Sequence, residues 1–116
     1  MTQLAVDRKF LLESVENDAA FLKTVIGIFL TDCPGVLAKI RAAVAAHDPV
    51  QVMSASHALK GSVSFFGAKS AVEAARILES MGRQAKLEGV DEALSMLERE
   101  MVPVLFALEE IAKDPA

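Results

Sequence analysis

Asp48-Pro49-Val50-Gln51-Val52-Met53-Ser54-Ala55-Ser56-His57-Ala58-Leu59-Lys60-Gly61-Ser62-Val63-Ser64-Phe65-Phe66-Gly67 reads as a helix with both ends marked. Aspartate at the N-cap, proline at the first helical position and glutamine at the third form a variant capping box. The helix runs to about Phe66, and Gly67 supplies a residue free to turn left-handed and end it. On a wheel of about 100° per residue with His57 at zero, Phe66, Leu59, Val52 and Val63 fall at about 180° to 240°. That apolar stripe is the core face. Val50, Met53, Ser54, Lys60, Gly61 and Ser64 fall within about 60° of His57. The histidine therefore projects away from the core, among small and polar neighbours.

The other segments also have helical periods. Asp7 caps a short helix to Ser14. A second helix starts near Asn17-Asp18, with Phe21, Val25, Ile28 and Phe29 on one face and Leu37, Ile40 and Val44 continuing the stripe. Pro34 either kinks this helix or starts a new one capped by Asp32; one long kinked helix is the favoured reading. A fourth helix spans Lys69 to Leu87, with Val72, Ala75, Leu78 and Gly82 inward. Gly89 separates it from a last helix, Asp91 to Lys113, with Leu94, Leu97, Met101, Leu105 and Leu108 in register and Pro103 inside. No useful segment alternates with period two, so the chain is all-α. Short connections predict an antiparallel up-and-down four-helix bundle with an extra short N-terminal helix, one domain over residues 1–116.

The composition narrows the function. With 53% hydrophobic residues the chain has material for a packed core. A net charge of -4 argues against general nucleic-acid binding. The single cysteine, Cys33, excludes a disulfide framework and favours a reducing compartment. Met1 to Asp7 lacks the regions of a signal peptide. No apolar run is read as approaching the roughly 18 to 20 residues that span a bilayer, so a soluble cytoplasmic protein with no membrane partner is expected.

A lone histidine on an outward face is ordinarily a solvated side chain. Three details weigh against that reading for His57. Lys60 lies one turn on and can hold an anion on the imidazole as a point charge. Gly61 sits mid-helix, where glycine costs about 1 kcal/mol against alanine; the gap lets a partner's loop come close. An ordinary imidazole is largely neutral at pH 7 and a competent nucleophile. A nucleophile beside a cation suits phosphoryl handling.

His57-x-Leu59-Lys60-Gly61-Ser62, followed by Gly67-Ala68, resembles the signature of histidine-containing phosphotransfer (HPt) domains. Upstream, Phe29, Pro34, Leu37 and Ala43 through Asp48 resemble the helix and loop that precede the family's histidine helix. Downstream, Leu78-Glu79-x-x-Gly82-Arg83 resembles the helix that follows. The resemblance implies a four-helix bundle with an added N-terminal helix. It implies that His57 accepts a phosphoryl group from a receiver-domain aspartate and passes it to another, with Lys60 steadying the phosphate and Gly61 leaving room. Glu79 would orient the ring through its other nitrogen, and Arg83 would help docking. Ser62 and Ser64 would either bond near the phosphate or cap the polar face.

The partners so implied are receiver domains of response regulators and a hybrid histidine kinase. The chain holds no acidic cluster for a metal and no Gly-rich nucleotide loop. No cofactor is expected on it, Mg²⁺ is expected on the receiver, and no autonomous kinase activity is expected. A monomer is the expected state. Met53 and Ser54 join Ser64 and Arg83 as docking candidates. Between Lys60 and Lys86 five basic residues face two acidic ones, a net +3 that would attract an acidic receiver pocket. The competing function is a helical docking module that binds receiver or kinase domains without transfer. His47 reads as a surface loop residue, Cys33 as a buried structural thiol, and Phe65 and Phe66 as core.

Overall fold

The computed structural model describes residues 5–114; the reading of Met1 to Leu4 lies outside them. Aspartates start the first three helices. Asp7 accepts from the backbone N–H groups of Lys9 and Phe10 and opens α1, Arg8–Ser14. Glu16 and Asn17 then take left-handed backbone angles and turn the chain. Asp18 accepts from the Phe21 N–H and opens α2, Ala19–Ala45. Asp48 accepts from the Gln51 N–H at 3.2 Å and opens α3, Pro49–Phe65. Gln51 does not close the reciprocal half of the box, because the Asp48 N–H already donates to the Ala43 carbonyl at 3.1 Å.

Gly67, at φ 68°, ends α3, and the Ala68 N–H donates back to Val63. The fourth helix, α4, is Lys69–Gln84, and α5 is Val90–Lys113 with Asp91 and Glu92 in its positive first turn. Among the described residues there are five helices and no strand. α3 packs on α4, α4 on α5, α5 on α2 and α2 on α3, so the four long helices close a ring around one core. α1 lies against α2.

Pro34 and Pro103 both lie inside continuous helices. In α2 the buried stripe is Leu22, Ile26, Phe29, Cys33, Leu37, Ile40 and Val44. Phe21 and Ile28, expected on the inner face, are exposed. The true stripe runs one residue later, through Leu22 and Ile26. Phe66 is core and meets Phe29 with ring centroids 5.1 Å apart, whereas Phe65, expected in the core, is 43% exposed beside it. Burial pushes the Cys33 thiol up, as suits a structural cysteine, although Arg41 opposes the shift. α4 stops three residues short of Leu87 because Ala85 turns left-handed and the Lys86 N–H caps back on Met81.

α2 overturns one expectation. It contains an 18-residue window of mean hydropathy 1.5, so by length and composition it is apolar enough to cross a membrane. In this fold its buried stripe contributes to the shared core.

Candidate functional site

Two helices build the site, and a glycine sets their spacing. A Cβ placed on Gly82 would lie 2.5 Å from the Met53 nitrogen and 2.6 Å from the Pro49 carbonyl oxygen. Only a residue without that atom lets α4 approach the first turn of α3 so closely. Glu79 lies almost one turn before Gly82 on α4, and this approach carries its side chain under α3.

Glu79 is 2% exposed and accepts from three cationic or potentially cationic groups. Lys60 Nζ lies 2.6 Å from Oε1. His57 Nδ1 lies 2.7 Å from Oε2, and Arg83 Nη2 donates to the same oxygen at 2.9 Å. The Lys60 hydrogen bond, above all, lowers the Glu79 carboxyl to about 2; burial opposes the shift and the His57 contact adds to it. At neutral pH the group is a carboxylate, which can only accept. The proton it binds therefore sits on His57 Nδ1, which in the neutral form of the ring leaves the lone pair on Nε2. The His57 side chain is 68% exposed. The result is a solvent-facing imidazole whose neutral form has its tautomer set by Glu79 and its lone pair on the outer nitrogen.

The other expected residues fall around it. Gly61 is exposed, and a Cβ there would meet nothing within 4 Å, so the space beside His57 is open. Ser54 and Ser64 are exposed and Met53 is half-buried. Ser62 is exposed, its hydroxyl 3.5 Å from the Ala58 carbonyl. Lys60 is 30% exposed and turned toward Glu79, spending one of its three N–H donors there. On the flank toward α2 a groove of about 310 Å³ is lined by Ile28, Asp32, Ala58, Ser62 and Phe65 among others.

A family model described as Hpt domain matches residues 24–110, three quarters of the chain. The chain belongs to the Hpt domain family. No curated protein and no solved structure matches it. As an Hpt domain it is a phosphotransfer module of two-component signalling. Hpt domains are phosphotransfer intermediates rather than kinases, and they interact with receiver domains and histidine kinases.

The basic stretch is less uniform in this Hpt domain than its charge count implies. Arg76 is bound to Glu73 through Nε at 2.9 Å and Nη2 at 2.5 Å, and Lys60 and Arg83 are bound to Glu79. Lys69 opens α4 and Lys86 lies two residues past its end, and neither makes an ion pair among the described residues. The positive charge that remains local to His57 is that of Lys60 and Arg83, partly offset by Glu79. Sequence reasoning missed Ser56, which is fully buried on α3 with its hydroxyl bonded to no group among the described residues; its wheel position next to Val63 was the available signal.

Proposed function

We propose that this Hpt domain is a phosphorelay intermediate in which His57 Nε2 accepts a phosphoryl group from a receiver aspartate and donates it to a second receiver. The observation that carries this reading is the exposed His57 ring held by a buried, ionised Glu79, which leaves Nε2 free to attack. Glu79 positions the ring. The spare N–H donors of Lys60 meet the equatorial phosphoryl oxygens. Gly61 admits the partner, and Met53, Ser54, Ser64 and Arg83 surround the contact, with the α2–α3 groove at its edge. The chain binds no cofactor in this account, and Mg²⁺ resides on the receiver.

Further parts of the proposal concern the protein as a whole. The four long helices alternate in direction, as their connections of three to five residues favour. The chain forms one domain and works as a cytoplasmic monomer with receiver domains and a hybrid kinase. The intact His57–Glu79–Lys60 constellation favours transfer over docking alone. The experiment is incubation with a phosphorylated receiver: acid-labile, base-stable label is expected on the wild type and none on His57→Gln. Label retained by His57→Gln overturns the assignment.

A further inference from the structure

Glu79 is an acid where an amide would orient the ring as well. A carboxamide carbonyl could accept from Nδ1 with the same geometry, so orientation alone does not call for a charge. The charge matters when the phosphoryl group leaves. Transfer breaks the Nε2–P bond and leaves its electron pair on Nε2. If Nδ1 keeps its proton, the ring departs as neutral imidazole. If Nδ1 has lost it, the ring must depart as an anion, a far poorer leaving group.

Every charged group around the ring bears on that proton. Lys60, from α3, and Arg83, from α4, are cations that disfavour a protonated ring. Of the two titratable groups that α2 contributes to the adjoining groove, Asp32 lies to the side with Ala58 and Ser62, and Cys33 is a buried thiol held protonated. Glu79 is the anion in direct contact, with Oε2 2.7 Å from Nδ1, and it is buried where water screens it least. Resting on the phosphorelay reading above, we propose that Glu79 is a positioning residue for a proton: its negative charge holds H⁺ on Nδ1 of phosphorylated His57, keeping the phosphoryl group on a neutral leaving group into the alkaline range. The phosphoryl group's own negative charge is common to wild type and variant, so replacing Glu79 by an amide removes the one protein anion beside the ring and leaves the two cations. The lowered carboxyl of Glu79 agrees with a group that stays charged throughout this range.

The test measures loss of label against pH. In a His47→Asn background, which leaves His57 as the sole histidine, the protein is phosphorylated with phosphoramidate and hydrolysis is followed without any receiver. Water forms the new P–O bond, Nε2–P breaks, inorganic phosphate is released, and the ring leaves with Nδ1 protonated. The rate falls as pH rises through the point where Nδ1 loses its proton. Glu79→Gln should move that fall to lower pH by about one unit, the low end for a charge contact because the ring is exposed. An unchanged profile in a folded Glu79→Gln protein overturns the proposal. If the variant does not fold, the wild type decides: its profile should fall about one unit higher than that of the same phosphoprotein in urea, and coincident profiles overturn the proposal. Failure of the underlying reading looks different, because a phosphorylated receiver would then still label His57→Gln.

Discussion

Two helical glycines flank the proposed chemistry, Gly61 inside α3 and Gly82 in the last turn of α4, and alanine at each should change stability in opposite directions. Intrinsic helix propensity favours alanine by about 1 kcal/mol at either position. At Gly61 nothing lies within 4 Å of the added Cβ, so Gly61→Ala should stabilise the fold by about 0.5 to 1 kcal/mol. At Gly82 the Cβ would come within 2.5 Å of the Met53 nitrogen, 2.6 Å of the Pro49 oxygen and 2.9 Å of the Met53 Cα. All three are backbone atoms, so no rotamer change relieves the overlap. The two helices must separate by about 1 Å, and with three backbone atoms overlapped at once the cost lies at the upper end of the range for overpacking, roughly 2 to 3 kcal/mol. With the propensity gain subtracted, Gly82→Ala should lose about 1 to 2 kcal/mol, a fall of about 4 to 10 °C in Tm. Circular dichroism during thermal and urea unfolding measures both variants. Gly82→Ala as stable as the wild type would refute the close approach of α3 and α4, and with it the reason Glu79 reaches His57.

The charge cluster supplies two further predictions. The Glu79 carboxyl is lowered to about 2 from 4.5, so its contribution to stability is present above pH 4.5 and is lost as pH falls toward 2. At about 1.4 kcal/mol per unit the ceiling is near 3 kcal/mol, and exposure of its partners reduces this to about 1 to 2 kcal/mol. Urea midpoints between pH 5 and 2 should therefore drop more steeply for the wild type than for Glu79→Gln; parallel curves would contradict the cluster. Lys60→Ala should slow phosphotransfer roughly tenfold or more and lower stability by about 1 to 3 kcal/mol, because it removes both a phosphoryl contact and a partner of a buried carboxylate. Stopped-flow transfer from a phosphorylated receiver and thermal unfolding read the two effects, and an unchanged rate would remove Lys60 from the mechanism.

Local chemistry made α3 legible. Asp48, Pro49 and Gly67 fix its ends, and four apolar residues fix its inner face, so the outward direction of His57 followed from the wheel alone. α2 was harder because apolar residues occupy nearly every direction around it; Phe21 and Ile28 competed with Leu22 and Ile26 as the inner stripe. The end of α4 carried no mark, since alanine rarely signals the left-handed turn that Ala85 makes. The site itself depends on a long-range contact. Glu79 lies 22 residues from His57, and only the family resemblance connected them in the sequence. That Lys60 turns toward Glu79, and that Arg83 shares an oxygen with His57, depends on the α3–α4 spacing that Gly82 sets.

The most direct measurement is the position of the phosphoryl group on the ring. NMR of the protein phosphorylated by a receiver distinguishes substitution at Nε2 from substitution at Nδ1 and assigns the residue. With Nδ1 held against Glu79, the account predicts a single phosphohistidine, at Nε2 of His57. Phosphorylation at Nδ1, or on any residue other than His57, would contradict it.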